Sequence, residues 1–270
     1  MEAANFTKIK YCVVNSVARI ELATPEKLNV LNPSVWEELK AAFQMAREDD
    51  EVCSVLLSGA GKSFCAGFDM EESSSQKEEG TWEQWNTLQE EASNNRDVWE
   101  FEKPVVAAVQ GYCLGGGLDL INMVDYVIAA DDAKFGETEM RYSFLPQPAL
   151  LWLVGSRKAK EVLLFADKFG AEEAYRLEIV NRVVPAEELM NEAIKAAEKL
   201  AKMPTETMQM TKRLLNRAVD MQGLRDYTAW YWDNFLISKM TKTKLNAEYE
   251  RIEKEEGTKA AFKWLNARFK

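Results

Sequence analysis

The chain is predicted to be an α/β protein with an added helical C-terminal region, and three observations carry that prediction. Short apolar runs at 52–58, 105–109 and 127–130 have the length and β-branched content of buried strands. Glycines follow them at the positions where strands must turn: Gly59 and Gly61, then Gly115, Gly116 and Gly117, then Gly136. From Ser156 onward apolar residues recur at helical spacing instead.

Taken in order, residues 8–23 alternate around Ile9, Tyr11, Val13, Val17, Ile20 and Leu22 and predict a hairpin. Residues 32–48 open on Asn-Pro-Ser and carry Val35, Leu39, Ala42, Phe43 and Ala46, which predicts an amphipathic helix with a start signal. The stretch 70–100 is rich in Glu, Ser and Asn, holds Trp82, Trp85 and Trp99, and receives no assignment. After the strand 105–109, the glycine triplet opens an apolar helix that runs to about Met123. Helices are expected at 156–165, 171–177, 186–202, 205–220 and, with breaks, 224–268, and 179–184 forms an extended interruption. With no repeat and no linker, the reading is a core over 1–200 and a C-terminal helical region over 201–270.

Composition narrows the function. In 270 residues, 47% hydrophobic and 29% charged, there is ample material for a core. A net charge of −10 argues against nucleic acid or an anionic membrane as the main partner, although a few lysines can still hold the phosphates of a small anionic ligand. Residues 1–7 lack an apolar signal core, no run is long enough to span a bilayer, and Ala-Arg-Phe-Lys is not a peroxisomal address; a cytoplasmic location is expected. The four cysteines show no metal or redox spacing and read as reduced thiols. Histidine is absent, which removes imidazole bases, Ser-His-Asp and Cys-His catalysis and most zinc sites. Proton chemistry near neutral pH then falls to carboxylates, tyrosine, lysine or water.

The candidate chemistry lies in Gly111–Asp119 and in Phe135-Gly136-Glu137-Thr138-Glu139. Glycines at a helix start offer bare N–H groups to developing negative charge. Asp119 shares the face of Gly116 at i, i+3, and Glu139 can supply a second carboxylate. Gly61-Lys62-Ser63 imitates the end of a phosphate-binding loop, but Leu56 stands where that loop needs its first glycine, so a polar turn after a strand is the better reading. Ser63–Asp69 reads as a tight turn with Cys65 a buried thiol, or as a turn in which Gly67 directs the Phe68 N–H into a cleft.

Together these segments resemble the enoyl-CoA hydratase/isomerase (crotonase) family. The matching stretches are Cys-Ala-Gly-Phe-Asp (65–69), Lys103 through Leu120, Ala133 through Glu139, Thr24 through Asn32, Gly170 through Ala174 and Ile179 through Pro185. The resemblance extends over most of the chain and implies a crotonase-like ββα spiral core with a C-terminal helical oligomerisation arm. It implies an oxyanion hole from the N–H groups of Phe68 and Gly116, and paired acid/base carboxylates at Asp119 and Glu139. It implies that Lys27, Leu28, Ala66 and Gly67 flank the CoA adenine, that catalysis needs no metal and no redox cofactor, and that coenzyme A enters as part of the substrate. Homotrimers or dimers of trimers are the implied assembly, to which the aromatic helices carrying Trp230–Phe235 and Phe262–Trp264 would contribute.

Two departures shape the expected reaction. Asp119 stands where many hydratases carry Glu, one methylene longer; dienoyl-CoA isomerases also carry Asp here but need a further acid at the position of Gln147. Where simple hydratases have a glycine-rich stretch, this chain has Leu145-Pro146-Gln147-Pro148-Ala149-Leu150-Leu151-Trp152, which stiffens and fills that wall. With Trp82 and Trp85, Gln147 and Trp152 suggest a pocket for a cyclic, aromatic or branched acyl group; as residue types the tryptophans also fit core or subunit contact. The expected activity is reversible hydration of an acyl-CoA 2,3 double bond. The rivals are Δ3-Δ2 or dienoyl isomerisation, thioester hydrolysis or C–C cleavage on the same scaffold, and non-catalytic acyl-CoA binding.

Overall fold

The computed structural model describes residues 6–69, 80–147, 149–241 and 243–269. A six-stranded sheet has the order β1-β2-β3-β4-β6-β9, formed by β1 (Ile9–Val14), β2 (Val17–Leu22), β3 (Ser54–Gly59), β4 (Val105–Val109), β6 (Tyr126–Ala130) and β9 (Arg182–Val184). Only the β1–β2 hairpin is antiparallel; every later pairing in this sheet is parallel. Parallel strands covered on both faces must be apolar throughout, and every residue of β3 and β4 is buried. A second sheet sets β5 (Tyr112–Leu114) parallel to β7 (Lys134–Gly136), with β8 (Phe169–Gly170) antiparallel beyond it. These three short strands have no counterpart in the sequence reading, because two- and three-residue strands carry no periodicity.

Helix α1 (Pro33–Glu48) starts where Asn32 accepts the Val35 N–H at 3.0 Å, and buries Val35, Leu39, Ala42, Phe43 and Ala46 as predicted, with Trp36 in addition. Its last carbonyls are capped from outside: the Lys103 ammonium donates to Ala46 O at 2.6 Å and Asp49 O at 2.8 Å. Within the unassigned stretch, residues Thr81–Trp99 form a helix, α2. Then come α3 (Gly116–Ile121), α4 (Leu150–Val154), α5 (Ser156–Phe165), α6 (Ala171–Arg176) and α7 (Leu189–Ala201). The C-terminal helices are α8 (Thr205–Met221), α9 (Leu224–Met240), α10 (Lys244–Glu256) and α11 (Thr258–Ala267).

The main core lies between the two sheets and α1, whereas α7 covers the opposite face of the large sheet through Leu189, Ala193 and Ala197. The C-terminal helices are tied to this body by a buried charge: Lys212 of α8 donates to Asp125 Oδ2 at 2.6 Å and to Lys103 O at 3.1 Å. Leu224 of α9 joins the main core, and Tyr231, Trp232 and Leu236 pack with Leu88 of α2. No described helix is long and apolar enough to cross a membrane.

Candidate active site

Three segments meet at the junction of the two sheets. Residues 64–69 run beside β5: Phe64 N donates to Gln110 O at 2.8 Å, Cys65 N to Tyr112 O at 2.9 Å, and Leu114 N to Cys65 O at 3.0 Å. The turn that follows is held from the other side, since Ala66 N donates to Leu28 O at 3.0 Å, Leu31 N to Gly67 O at 2.8 Å and Asp69 N to Leu31 O at 2.9 Å. Gly115 N donates to Gly136 O at 2.9 Å and brings in β7 and the segment after it.

Within this stitching two amides stand out. The N–H groups of Phe68 and Gly116 have no acceptor among the described residues, and at the start of α3 the same holds for Gly117 and Leu118, the first intrahelical donor being Asp119 N to Gly115 O at 2.9 Å. Phe68 and Gly116 adjoin: a Cβ built on Gly67 would lie 3.8 Å from Gly116 N and 3.1 Å from Leu114 O. Gly67 has φ +106°, a conformation side chains disfavour, and the turn it permits brings the Phe68 ring against Gly116.

The triplet has a second, steric reason. A Cβ on Gly115, at φ +48°, would lie 2.0 Å from Glu139 Oε1; on Gly116 it would meet the Phe68 ring at 2.8 Å; on Gly117 it would meet Cys65 O at 2.7 Å. The Glu139 carboxylate therefore rests on the bare backbone of Gly115, and Asp119 enters the same place from the first turn of α3. Asp119 is buried and Glu139 Oε2 is fully enclosed. Burial pushes the Asp119 carboxyl well above the ordinary carboxylate range, and the charge of Glu139 adds to the effect. Burial also raises Glu139, while hydrogen bonds from Glu137 and from the N–H groups of Glu139 and Thr138 offset part of the rise. Cys65 is pushed up to about 12 by burial, which makes it an inert thiol rather than a nucleophile.

Glu137 is the residue the sequence reading passed over. It is 0% exposed and joins Asp119 and Glu139 in one carboxyl cluster. Its signal was present in the sequence: it lies two residues beyond the buried Phe135, so an extended chain returns it to the same face.

The structure places the remaining predicted residues as follows. Lys27 ends a 3-10 turn and pairs with Asp69 at 2.9 Å; Leu28 is exposed next to Ala66. Trp82 is exposed and stacks on Trp85, with ring centres 5.3 Å apart. Trp85 donates to Asp233 Oδ1 of α9 at 3.1 Å and packs with Leu88 and Leu145. Trp152 donates to Gln222 O at 3.3 Å and tilts against Tyr227. Gln147 is buried, whereas Pro148 lies outside the described residues. Both Trp85 and Trp152 thus have partners at the C-terminal helices. The 3-10 turn Glu139–Tyr142 is braced from the same region, with Tyr142 edge-on to Phe262 of α11 at 5.6 Å and Arg141 over Phe269 at 4.6 Å.

The fold agrees with comparison to known proteins. The profile described as enoyl-CoA hydratase/isomerase matches residues 13–259, and the chain belongs to that family of enzymes. It is 35% identical over 210 residues to a short-chain-enoyl-CoA hydratase of Clostridium acetobutylicum, covering 75% of this chain and 78% of the relative. With a mitochondrial enoyl-CoA hydratase of Pongo abelii it shares 32% over 216 residues, covering 77% and 71%. The crystal structure of an enoyl-CoA hydratase/isomerase from Xanthobacter autotrophicus Py2 superposes with a TM-score of 0.94 at 32% identity, covering 98% of this chain and all of that one. The expected spiral fold with its C-terminal helices is thereby borne out.

Proposed function

We propose that this enzyme is an enoyl-CoA hydratase that adds water reversibly across the 2,3 double bond of an acyl-CoA. The observation that carries the reading is the pair of unpaired amides, Phe68 and Gly116, beside the buried carboxyls of Asp119 and Glu139. A thioester carbonyl seated on the two N–H groups would gain negative charge as a nucleophile adds at Cβ. Each such donor contributes about 3 kcal/mol in a dry site, so the pair carries much of the barrier. Water lies between the two carboxyls; Glu139, the principal acid/base, takes its proton as the oxygen bonds to Cβ. A proton then passes to Cα, so that OH and H are added and both carboxyls return to their starting state. Lys27, Leu28, Ala66 and Gly67 flank the adenine in this reading, which the Ala66–Leu28 hydrogen bond supports by joining the two loops.

For the acyl group, the proposal is a cyclic, aromatic or branched chain bordered by the seam of Trp82, Trp85, Gln147 and Trp152. The packing of both Trp85 and Leu145 against the cluster of Leu88, Tyr231, Trp232 and Leu236 supports it. A homotrimer or dimer of trimers is proposed from the exposed apolar residues of α8 and α9, among them Leu214, Leu215, Met221, Trp230 and Ile237. Cytoplasmic location is part of the same proposal.

A panel of linear, cyclic and branched enoyl-CoAs and 3-hydroxyacyl-CoAs, with products read by mass, tests the reaction. Gain or loss of one water is the expected result. An unchanged mass with a shifted double bond would replace it by isomerisation, and free CoA would indicate hydrolysis. Equal turnover of crotonyl-CoA and bulky substrates would remove the acyl-group proposal alone.

A further inference from the structure

The Glu139 carboxylate rests on Gly115, but the segment that carries it has little hold of its own. Glu139 opens the four-residue 3-10 turn Glu139–Tyr142, which has no side-chain cap at Thr138 and ends on Ser143 at φ +62°. The backbone bonds that close it are internal: Arg141 N donates to Thr138 O at 3.0 Å, Ser143 N to Met140 O at 3.2 Å and Phe144 N to Glu139 O at 3.1 Å. Bonds of this kind fix the shape of a turn and leave its orientation to its side chains.

Three side chains hold the turn from outside. Arg141 Nη2 donates to Asp167 Oδ1 at 2.5 Å, and its guanidinium lies 4.6 Å from the centre of the Phe269 ring. Phe144 stacks on Phe235 of α9 with ring centres 6.0 Å apart. Tyr142 meets Phe262 of α11 edge-on at 5.6 Å, and Phe262 in turn meets Tyr249 of α10 edge-on at 5.8 Å. Ala261 and Leu265 of α11 are buried, so the helix that presents Phe262 is itself anchored.

The Tyr142 contact bears most directly on the acid. Side chains three residues apart eclipse in a 3-10 turn, so Tyr142 stands in line with Glu139 on one side of it. A tilt of the turn that withdraws Tyr142 carries Glu139 with it. The ion pair of Arg141 holds less, because Asp167 is 74% exposed and water competes for its carboxylate.

We propose that Phe262 is a positioning residue for Glu139: through Tyr142, its ring sets the 3-10 turn so that the carboxylate lies against Gly115 and faces the reacting water. The inference rests on the hydratase reading for the role of Glu139. It gives the C-terminal helices a part in the chemistry that is separate from any part in assembly.

Phe262→Ala is expected to lower kcat about tenfold with KM within about twofold of wild type, the order for a catalytic group displaced by under about 1 Å. Phe262→Tyr, which keeps the ring at this half-buried position, should hold kcat within about twofold. The decisive measurement is the double-mutant cycle with Glu139→Gln. Adding Phe262→Ala to that variant should lower kcat by less than about twofold, because the group being positioned has already been lost.

An additive loss of about tenfold in the Glu139→Gln background, or a wild-type kcat in Phe262→Ala, overturns the proposal. So does a raised KM with unchanged kcat, which would make Phe262 a contact of the CoA and not of the acid. Size-exclusion elution is followed alongside, and a loss of kcat that tracks a loss of assembly overturns it too. Should Phe262→Ala fail to fold, Tyr142→Leu runs the same cycle with the same expected and overturning results. If the wild type isomerises enoyl-CoAs and does not hydrate them, the hydratase reading fails. The cycle is then run on the isomerised product, where coupling between Phe262 and Glu139 still decides the inference.

Discussion

The two sides of the site are built on different principles. The glycine junction is made of backbone and acid: a methyl group on Gly115 would lie 2.0 Å from a Glu139 oxygen, and one on Gly116 2.8 Å from the Phe68 ring. The aromatic side is made of rings in mixed stacked and tilted contacts, Trp82 on Trp85 at 5.3 Å, Trp152 on Tyr227 at 5.6 Å and Tyr231 on Phe235 at 5.8 Å. At the junction the φ of Gly115, +48°, and the Cys65 carbonyl 2.7 Å from a Cβ on Gly117 exclude side chains, whereas ring packings absorb changes of similar volume. The glycine junction is therefore the less tolerant of substitution, and the aromatic region the more tolerant.

That contrast can be broken experimentally, most sharply at Gly115. Gly115→Ala should lower kcat/KM about a thousandfold by displacing Glu139, within the range for loss of general acid/base catalysis, while circular dichroism stays native. Activity within tenfold of wild type would show that the junction yields after all. Next in size, Glu139→Gln should cost at least about a hundredfold in kcat, with KM little changed. Steady-state kinetics that left kcat near normal would remove Glu139 from the mechanism.

Lys212→Met tests whether the C-terminal helices depend on their buried charge. Removing the partner of a buried carboxylate is costly, but Asp125 is a quarter exposed and still accepts the Val105 N–H. About 2 kcal/mol should be lost in urea unfolding, below the full figure for a buried pair. On the aromatic side, Trp85→Phe removes one hydrogen bond to Asp233 and should cost about 1 kcal/mol. Its selectivity between bulky and short acyl-CoAs should change more than its kcat on either. A purely structural Trp85 would leave that ratio where it was.

The legibility of the chain follows the same division. Helix α1 could be read because its cap, its proline and its buried stripe agree. Helix α2 was missed although Trp82, Trp85, Leu88, Ala92 and Trp99 recur at helical spacing, since its polar residues resemble those of a loop and its apolar face pairs with α9, far along the chain. Asp119 and Glu139 could be named because they stand at fixed offsets from glycines in a pattern shared with a family. Glu137 stands in the same five-residue motif and was not named, because an acid beside a turn reads as solvated.

The amino-acid sequence by itself determined the family, the α/β class, the absence of imidazole chemistry and the segments from which a site would be drawn. Those are local matters: periodicity, glycine placement and residue type. Only the tertiary structure decided that the Phe68 and Gly116 amides adjoin without acceptors, that three carboxyls share one buried space, and that α11 braces the turn carrying Glu139. Each depends on segments distant in the chain meeting across β5 and β7, where a buried group loses water and must find its partner within the protein.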